Sequence, residues 1–241
     1  MIRYLFIITL LFFGCKKPSE RPCWKSAGET VTETREFVKL PIINVFDDVN
    51  VVFKQDSLNY IEVESYSNLI SFISITNTDT AIDIKNLNKC NSLRKKDIQN
   101  TVTIHYENLS QVNLSGYGKI QFEDTIRQQS FSITSYDARS EVNLTIICQN
   151  LHCAFSEGSV VATINGASNS TYIYQSLYSI VDASKLISFN LYIGNNSTGD
   201  AHVYATNKLT AELLDAGSIY YSGTPTLEVL RDIGLGEIIA Q

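Results

Sequence analysis

Apolar and polar residues alternate in short bursts along the second half of the chain: Val112-x-Leu114, Phe131-x-Ile133, Cys153-x-Phe155, Tyr172-x-Tyr174, Leu191-x-Ile193 and Ala211-x-Leu213. A period of two puts every second side chain on one face of a strand. Between the bursts a six-residue phrase returns seven times, at Ser115–Ile120, Asp137–Val142, Ser156–Val161, Ser176–Val181, Thr198–Val203, Leu214–Ile219 and Ile233–Ile238. Its sixth position is always Val or Ile, and its fourth is always Gly, Ser or Ala. Successive sixth positions lie 22, 19, 20, 22, 16 and 19 residues apart. A fixed period of this size marks a solenoid, in which each repeat buries its apolar face against its neighbours. No stretch carries the 3.6-residue period of an amphipathic helix, so the chain is all-β.

Stacking such repeats gives a single right-handed parallel β-helix of about 20 residues per rung, since parallel crossovers are overwhelmingly right-handed. A tiny fourth residue allows a sharp corner and close approach between rungs. The Val or Ile two places on is expected to point inward and stack on its equivalents. Before residue 109 the pattern is looser but still strand-like, at Glu36–Leu40, Val49–Phe53, Tyr60–Val63, Ile73–Ile75, Ala81–Ile84 and Thr101–Ile104. One domain over residues 31–241 is expected, with 31–108 as an N-terminal cap and first rungs and 109–241 as regular rungs. The last phrase ends at Ile238 with no cap visible after it, so homo-oligomer formation through the C-terminal end is a further expectation.

The N-terminus follows a different rule. Arg3 precedes an apolar run, Tyr4–Phe13, broken only by Thr9 and followed at once by Gly14-Cys15. The run falls short of the roughly 20 residues a membrane-spanning helix needs, and it fits residues 1–14 as a secretory signal peptide. A small residue directly before a cysteine after such a run resembles the lipobox of bacterial lipoproteins. That resemblance implies a lipid on Cys15, membrane association through it, and residues 15–30 as a polar tether. With no Asp after Cys15, it favours the outer membrane of the cell envelope, on either its periplasmic or its outer face.

Charge and cysteine usage narrow the chemistry. Charged residues make up 18% of the chain and the net charge is −6, which supplies no basic face for nucleic acid. Cys23 and Cys90 sit in polar, non-periodic sequence, where a disulfide would staple a loose N-terminal segment to the body. Cys153 falls on an apolar beat and reads as a small buried hydrophobe, and Cys148 is left open. His105, His152 and His202 each stand alone in strand context, so no metal site and no cofactor are expected. Asp182, Asp200 and Asp215 lie in or beside the fourth, fifth and sixth phrases, where acids on adjacent rungs would suit a polysaccharide lyase or hydrolase. They occupy different positions of the phrase, however, and Asp is a frequent corner residue that bonds its own backbone. Turn-making is therefore the preferred reading. Tyr172, Tyr174, Tyr178 and the Tyr220-Tyr221 pair suit either a ligand surface or an ordinary exposed strand face. Asp56-Ser57-Leu58, Asp79-Thr80-Ala81 and Asp124-Thr125-Ile126 resemble the O-glycosylation motif of some Gram-negative bacteria.

The Ser115–Ile120 phrase, Val31–Phe37, Val51–Gln55 and Tyr220–Pro225, with Asn88–Arg94 and Cys23–Gly28, resemble the auto-transporter adhesin head (GIN) domain family in its lipoprotein branch. The likeness covers about residues 28–238. It implies a right-handed β-helix on a bacterial envelope protein and brings no catalytic residues with it. The expected function is a non-catalytic, lipid-anchored envelope protein that binds a glycan or protein ligand or mediates adhesion. The alternative is a carbohydrate-active β-helix enzyme using Asp182, Asp200 and Asp215.

Overall fold

The computed structural model describes residues 26–37, 41–88 and 99–241. Cys15, Cys23 and Cys90, with the expected signal peptide, lipid site and disulfide, lie outside the described residues.

Seven short strands come first: β1 (Thr30–Arg35), β2 (Ile42–Asp48), β3 (Asn50–Gln55), β4 (Tyr60–Tyr66), β5 (Ile73–Asn77), β6 (Ile82–Asn86) and β7 (Thr101–Tyr106). The long coiled strands follow as β8 (Gln111–Phe122), β9 (Ile126–Gly158), β10 (Val161–Leu177), β11 (Ile180–Ser197) and β12 (Ala201–Leu213). Three more, β13 (Ile219–Ser222), β14 (Thr226–Asp232) and β15 (Ile238–Ala240), complete the sheet. From β8 onward neighbouring rungs pair in parallel, as the repeat requires. The fold is a parallel β-solenoid.

The inward column at the corner is more regular than the phrase predicts. It runs Val51, Ile120, Val142, Ala162, Val181, Ala201, Ile219, Ile238 through the paired registers. From Ile120 its steps are 22, 20, 19, 20, 18 and 19 residues. Two sixth positions of the phrase are out of phase with it. Val161 pairs outward with Ile180 and is 47% exposed, while its neighbours Val160 and Ala162 are buried. Val203 is buried one inward step later, opposite Ala183 and Tyr221. Alternation makes such slips costly to interpret, since one residue of shift exchanges the two faces. Tyr172-x-Tyr174 is likewise displaced by one: Thr171, Ile173 and Gln175 point inward and both tyrosines point outward.

Small residues at the corners do allow close approach. A Cβ on Gly217 would run into the carbonyl oxygen of Gly199 on the rung before it, and one on Gly236 would meet that of Gly217. The corners are also bonded from inside. Buried Asn195 donates its amide to the carbonyls of Gly217 (2.9 Å) and Gly199 (3.2 Å) and accepts from the Gln175 amide (3.0 Å). Ser197 Oγ donates to the carbonyl of Ser179 at 2.7 Å. These side chains satisfy backbone groups that a turning chain takes out of the ladder.

The N-terminal part stacks out of chain order. β2 and β3 pair in parallel with β8 on one side, and with β6 and β7 on the other. Beyond them β5 lies antiparallel to β6, and β4 antiparallel to both β7 and β1. β2 carries the inward pair Ile43 and Val45, a strand the alternation count passes over. Most of the expected Glu36–Leu40 strand, residues 38–40, lies outside the described residues, and β1 ends just before it at Arg35. At the other end Leu227 and Val229 continue the inward columns of Leu209 and Ala211 but are exposed. Cys148 and Cys153 are both buried and free, and burial pushes both thiols up, so neither is a reactive thiolate.

Candidate functional site

Each long rung turns a second corner where two consecutive residues are exposed, as at Gln149-Asn150 and Asn169-Ser170. Between this corner and the next phrase, three outward columns cover one lateral face. The first holds Asn150, Ser170, Asn190 and Lys208; the second His152, Tyr172, Tyr192 and Thr210; the third Ala154, Tyr174, Gly194 and Glu212. Beneath them Leu151, Cys153, Leu191 and Ile193 are buried, so packed side chains fix the backbone that presents the face.

His152, Tyr172 and Tyr192 form one continuous ring stack. Centroids are 4.6 Å and 4.9 Å apart and the planes are within 8° and 4° of parallel. Parallel register sets this spacing, because adjacent strands lie about 4.8 Å apart. The internal ring faces are therefore spent on one another, and the edges look outward. The outer faces of the two end rings, His152 and Tyr192, carry no further ring of the stack. Burial holds His152 below the usual histidine range and raises Tyr172; burial and then the Glu212 charge push Tyr192 up to about 12. The stack is accordingly neutral near pH 7. Tyr174 leans over Gly194 and its hydroxyl accepts from the Asn196 amide at 3.2 Å.

The column to one side continues as a polar ladder. Asn44 donates to Asp83 at 2.7 Å, Asn113 to Asn44 at 2.7 Å and Thr134 to Asn113 at 2.6 Å. Two shallow recesses lie on the face. One, of about 410 Å³, runs over Phe131 and Leu151 and is lined by Ser110, Gln111, Ser130, Ser132, Asn150, Ser170 and the His152 and Tyr172 rings. The other, of about 240 Å³, lies between Tyr192, Asn190, Lys208 and Thr210.

The three acids do not converge. Asp182 lies opposite His202 and its carboxylate accepts from the Ser184 amide and hydroxyl. Burial works to raise Asp182, but Ser184, then the His202 and Lys185 charges, hold it below the usual carboxylate range. Asp200 accepts from the Ser218 amide at 2.8 Å, and Asp215 from the Ala216 amide at 2.8 Å. Each acid bonds nearby backbone, as a corner residue does. Among the described residues no group of three or more His, Cys, Asp or Glu is placed to hold a metal. His105 packs on Tyr60 and lies 3.3 Å from Asp56 and 3.4 Å from Glu62; His202 stacks on Tyr220 at 4.8 Å. Tyr178 is exposed but lies at the phrase corner, apart from the stack. Ser57, Thr80 and Thr125 of the three Asp-Ser/Thr triplets all fall in turns between strands.

Sequence reasoning missed His152 and Tyr192 as members of one feature. The signal was present: residues 152, 172 and 192 are spaced by the solenoid period, which matters more than their residue types.

Residues 41–225 match the family described as "Putative auto-transporter adhesin, head GIN domain". Several solved structures share the fold. A "putative adhesin" from Bacteroides fragilis has a TM-score of 0.79 at 17% identity, covering 88% of this chain and 97% of that one. A "putative adhesin" from Parabacteroides distasonis has a TM-score of 0.68 at 18% identity, covering 89% and 98%. A "putative lipid binding protein" from the same organism has a TM-score of 0.57 at 15% identity, covering 89% and 97%. No curated protein matches the sequence.

Proposed function

The chain belongs to the GIN-domain adhesin family, and on that premise we propose that it is a non-catalytic envelope protein that adheres through the lateral face of its solenoid. The observation that carries this reading is the face itself: outward aromatic, carboxamide and hydroxyl columns in register over several rungs, on a packed scaffold. Repeated, evenly spaced side chains suit an extended ligand better than a single small molecule. Asp182, Asp200 and Asp215 each accept a backbone N–H, the behaviour of a corner residue, and this weighs against the lyase or hydrolase alternative. Binding of a lipid chain inside the coil is disfavoured by its filled interior, and both recesses on this face are open and rimmed by hydroxyls and carboxamides.

The anchor is part of the proposal. Cys15 carries lipid after removal of residues 1–14, the residues between it and the start of the solenoid form the tether, and a Cys23–Cys90 disulfide ties the tether to the body. Protease shaving of intact cells carrying the full chain tests exposure. Release of the solenoid from the cell surface, with bound particles lost at the same time, is the expected result. A chain protected in intact cells and cut only after lysis would overturn surface adhesion. A Cys15→Ser variant should leave the membrane fraction, and its retention there would overturn the anchor.

A further inference from the structure

The His152–Tyr172–Tyr192 stack stops one rung short of an available position. Asn150 Nδ2 donates to Ser130 Oγ at 3.2 Å, and Gly158 lies against the Ala138 carbonyl, so the 130s and 150s rungs meet at two places with the same 20-residue step. Two residues on, Ser132 therefore occupies the column of His152. On its other side Ser132 pairs with Gln111. A hydroxymethyl group stands where the next ring of the stack would be, and the recess of about 410 Å³ opens over it. That volume lies within the range of small-ligand sites, about 300–1,000 Å³.

The lining decides what chemistry fits. One wall is the open face of an uncharged imidazole. The floor is Phe131 and Leu151, each 2% exposed. The rim is hydroxyl and carboxamide: Ser110, Ser130, Ser132, Gln111 and Asn150. No carboxylate, ammonium or guanidinium group lines the recess, so a charged ligand finds no counter-charge there. A saturated chair ring with one face of axial C–H bonds and a periphery of hydroxyls matches each surface: C–H against the aromatic face, hydroxyls against the amides and serines. Gln111 already donates to Asn113 at 2.8 Å, which orients its carboxamide and leaves the oxygen to accept. The recess beyond Tyr192 is smaller and has a cation on its rim, with Lys208 held 2.8 Å from Glu228, and it lacks this match.

We infer that the recess over Ser132 binds a neutral pyranose unit of a glycan, seated as the next member of the ring stack with its C–H face on His152. The inference rests on the adhesive reading of this face and names its ligand class. The sugar needs an open ring face, which the end of the stack supplies at His152, while Tyr172 backs that ring and also lines the recess.

The test is a printed array of neutral oligosaccharides (β-glucan, α-mannan, galactan and lactosamine series), probed with the full mature chain and four variants. Ser132→Tyr extends the protein's own stack into the recess and blocks it. His152→Ala removes the platform from an exposed position with little risk to folding. Tyr178→Ala and Phe189→Ala change exposed residues outside the recess and leave it open. Binding of a subset of glycans by the wild type, lost at least tenfold in Ser132→Tyr and His152→Ala and kept in the other two, is the expected result. A blank array for the wild type, or binding undiminished in both blocking variants, would overturn the inference. Capture by a parallel array of Tyr- and Trp-rich peptides, abolished by Ser132→Tyr, would instead assign the recess to a protein partner and overturn the glycan. Particle adhesion lost on cell shaving together with a blank glycan array would leave the adhesive reading standing and remove only its ligand.

Discussion

Leu177 adopts φ +58° at a corner where the comparable left-handed residues are Asp47, Asp137 and Glu157. Its side chain is 47% exposed, so its apolar atoms return little for the strain, and the left-handed region costs a non-glycine residue about 1–2 kcal/mol. Leu177→Asn should stabilise the fold by about 0.5–1 kcal/mol, read as a higher urea midpoint with an unchanged slope. The slipped phrase makes a second contrast at single residues. Val161→Ser should stay within about 0.5 kcal/mol of wild type, whereas Val181→Ala, at a fully buried site, should cost about 2 kcal/mol. Equal losses at both positions would restore the phase read from the sequence. His152 gives a pH signature of its own. Its folded pKa lies below the ordinary 6.5, so the unfolded chain takes up the proton first. Its contribution to stability is therefore whole above pH 6.5 and lost as the pH falls from there through the folded value. An imidazole proton-shift titration with a midpoint above 6.5 would contradict the partly desolvated, stacked ring.

At the scale of the strand, the corner network fixes how rungs meet. Asn195 bonds the carbonyls of two later corners and the side chain of the rung before it. Asn195→Ala would leave those buried groups unpartnered, at about 1–3 kcal/mol for a lost group and more where several share it. In a solenoid each rung touches only its neighbours, so hydrogen exchange should quicken mainly in β10, β11 and β12 and leave β2 and β3 unchanged. The elements were legible in the sequence where the period holds, because a buried column repeats its residue type from rung to rung. Individual phases were not. Val161 follows Val160, and Tyr172 and Tyr174 bracket Ile173; in both places apolar residues stand on both faces, so composition cannot say which face is buried. The N-terminal stack order was illegible for another reason. Asn44 meets Asn113 across 69 residues, and β4 and β5 join their partners antiparallel, so no period connects them.

For the whole molecule the division is between scaffold and face. The recurring corner residues are explained by packing and backbone bonding, and the aromatic stack belongs to the variable positions between them. Legibility at this scale was partial as well. Tyr172 stood out by type, but the stack became visible only once parallel register brought residues 152, 172 and 192 into contact. The three acids were equally suggestive by position, and geometry scattered them. The most direct measurement is retention under flow of particles coated with the mature chain, on a mucin surface rich in both glycan and protein ligands. Wild type should be compared with His152→Ser/Tyr172→Ser/Tyr192→Ser on the stack and with Ile187→Ser/Phe189→Ser, two exposed apolar residues across the second corner. At least a tenfold loss for the stack variant, with retention kept by the other, is the predicted result. Equal retention of all three, or loss confined to Ile187→Ser/Phe189→Ser, would contradict adhesion through this face.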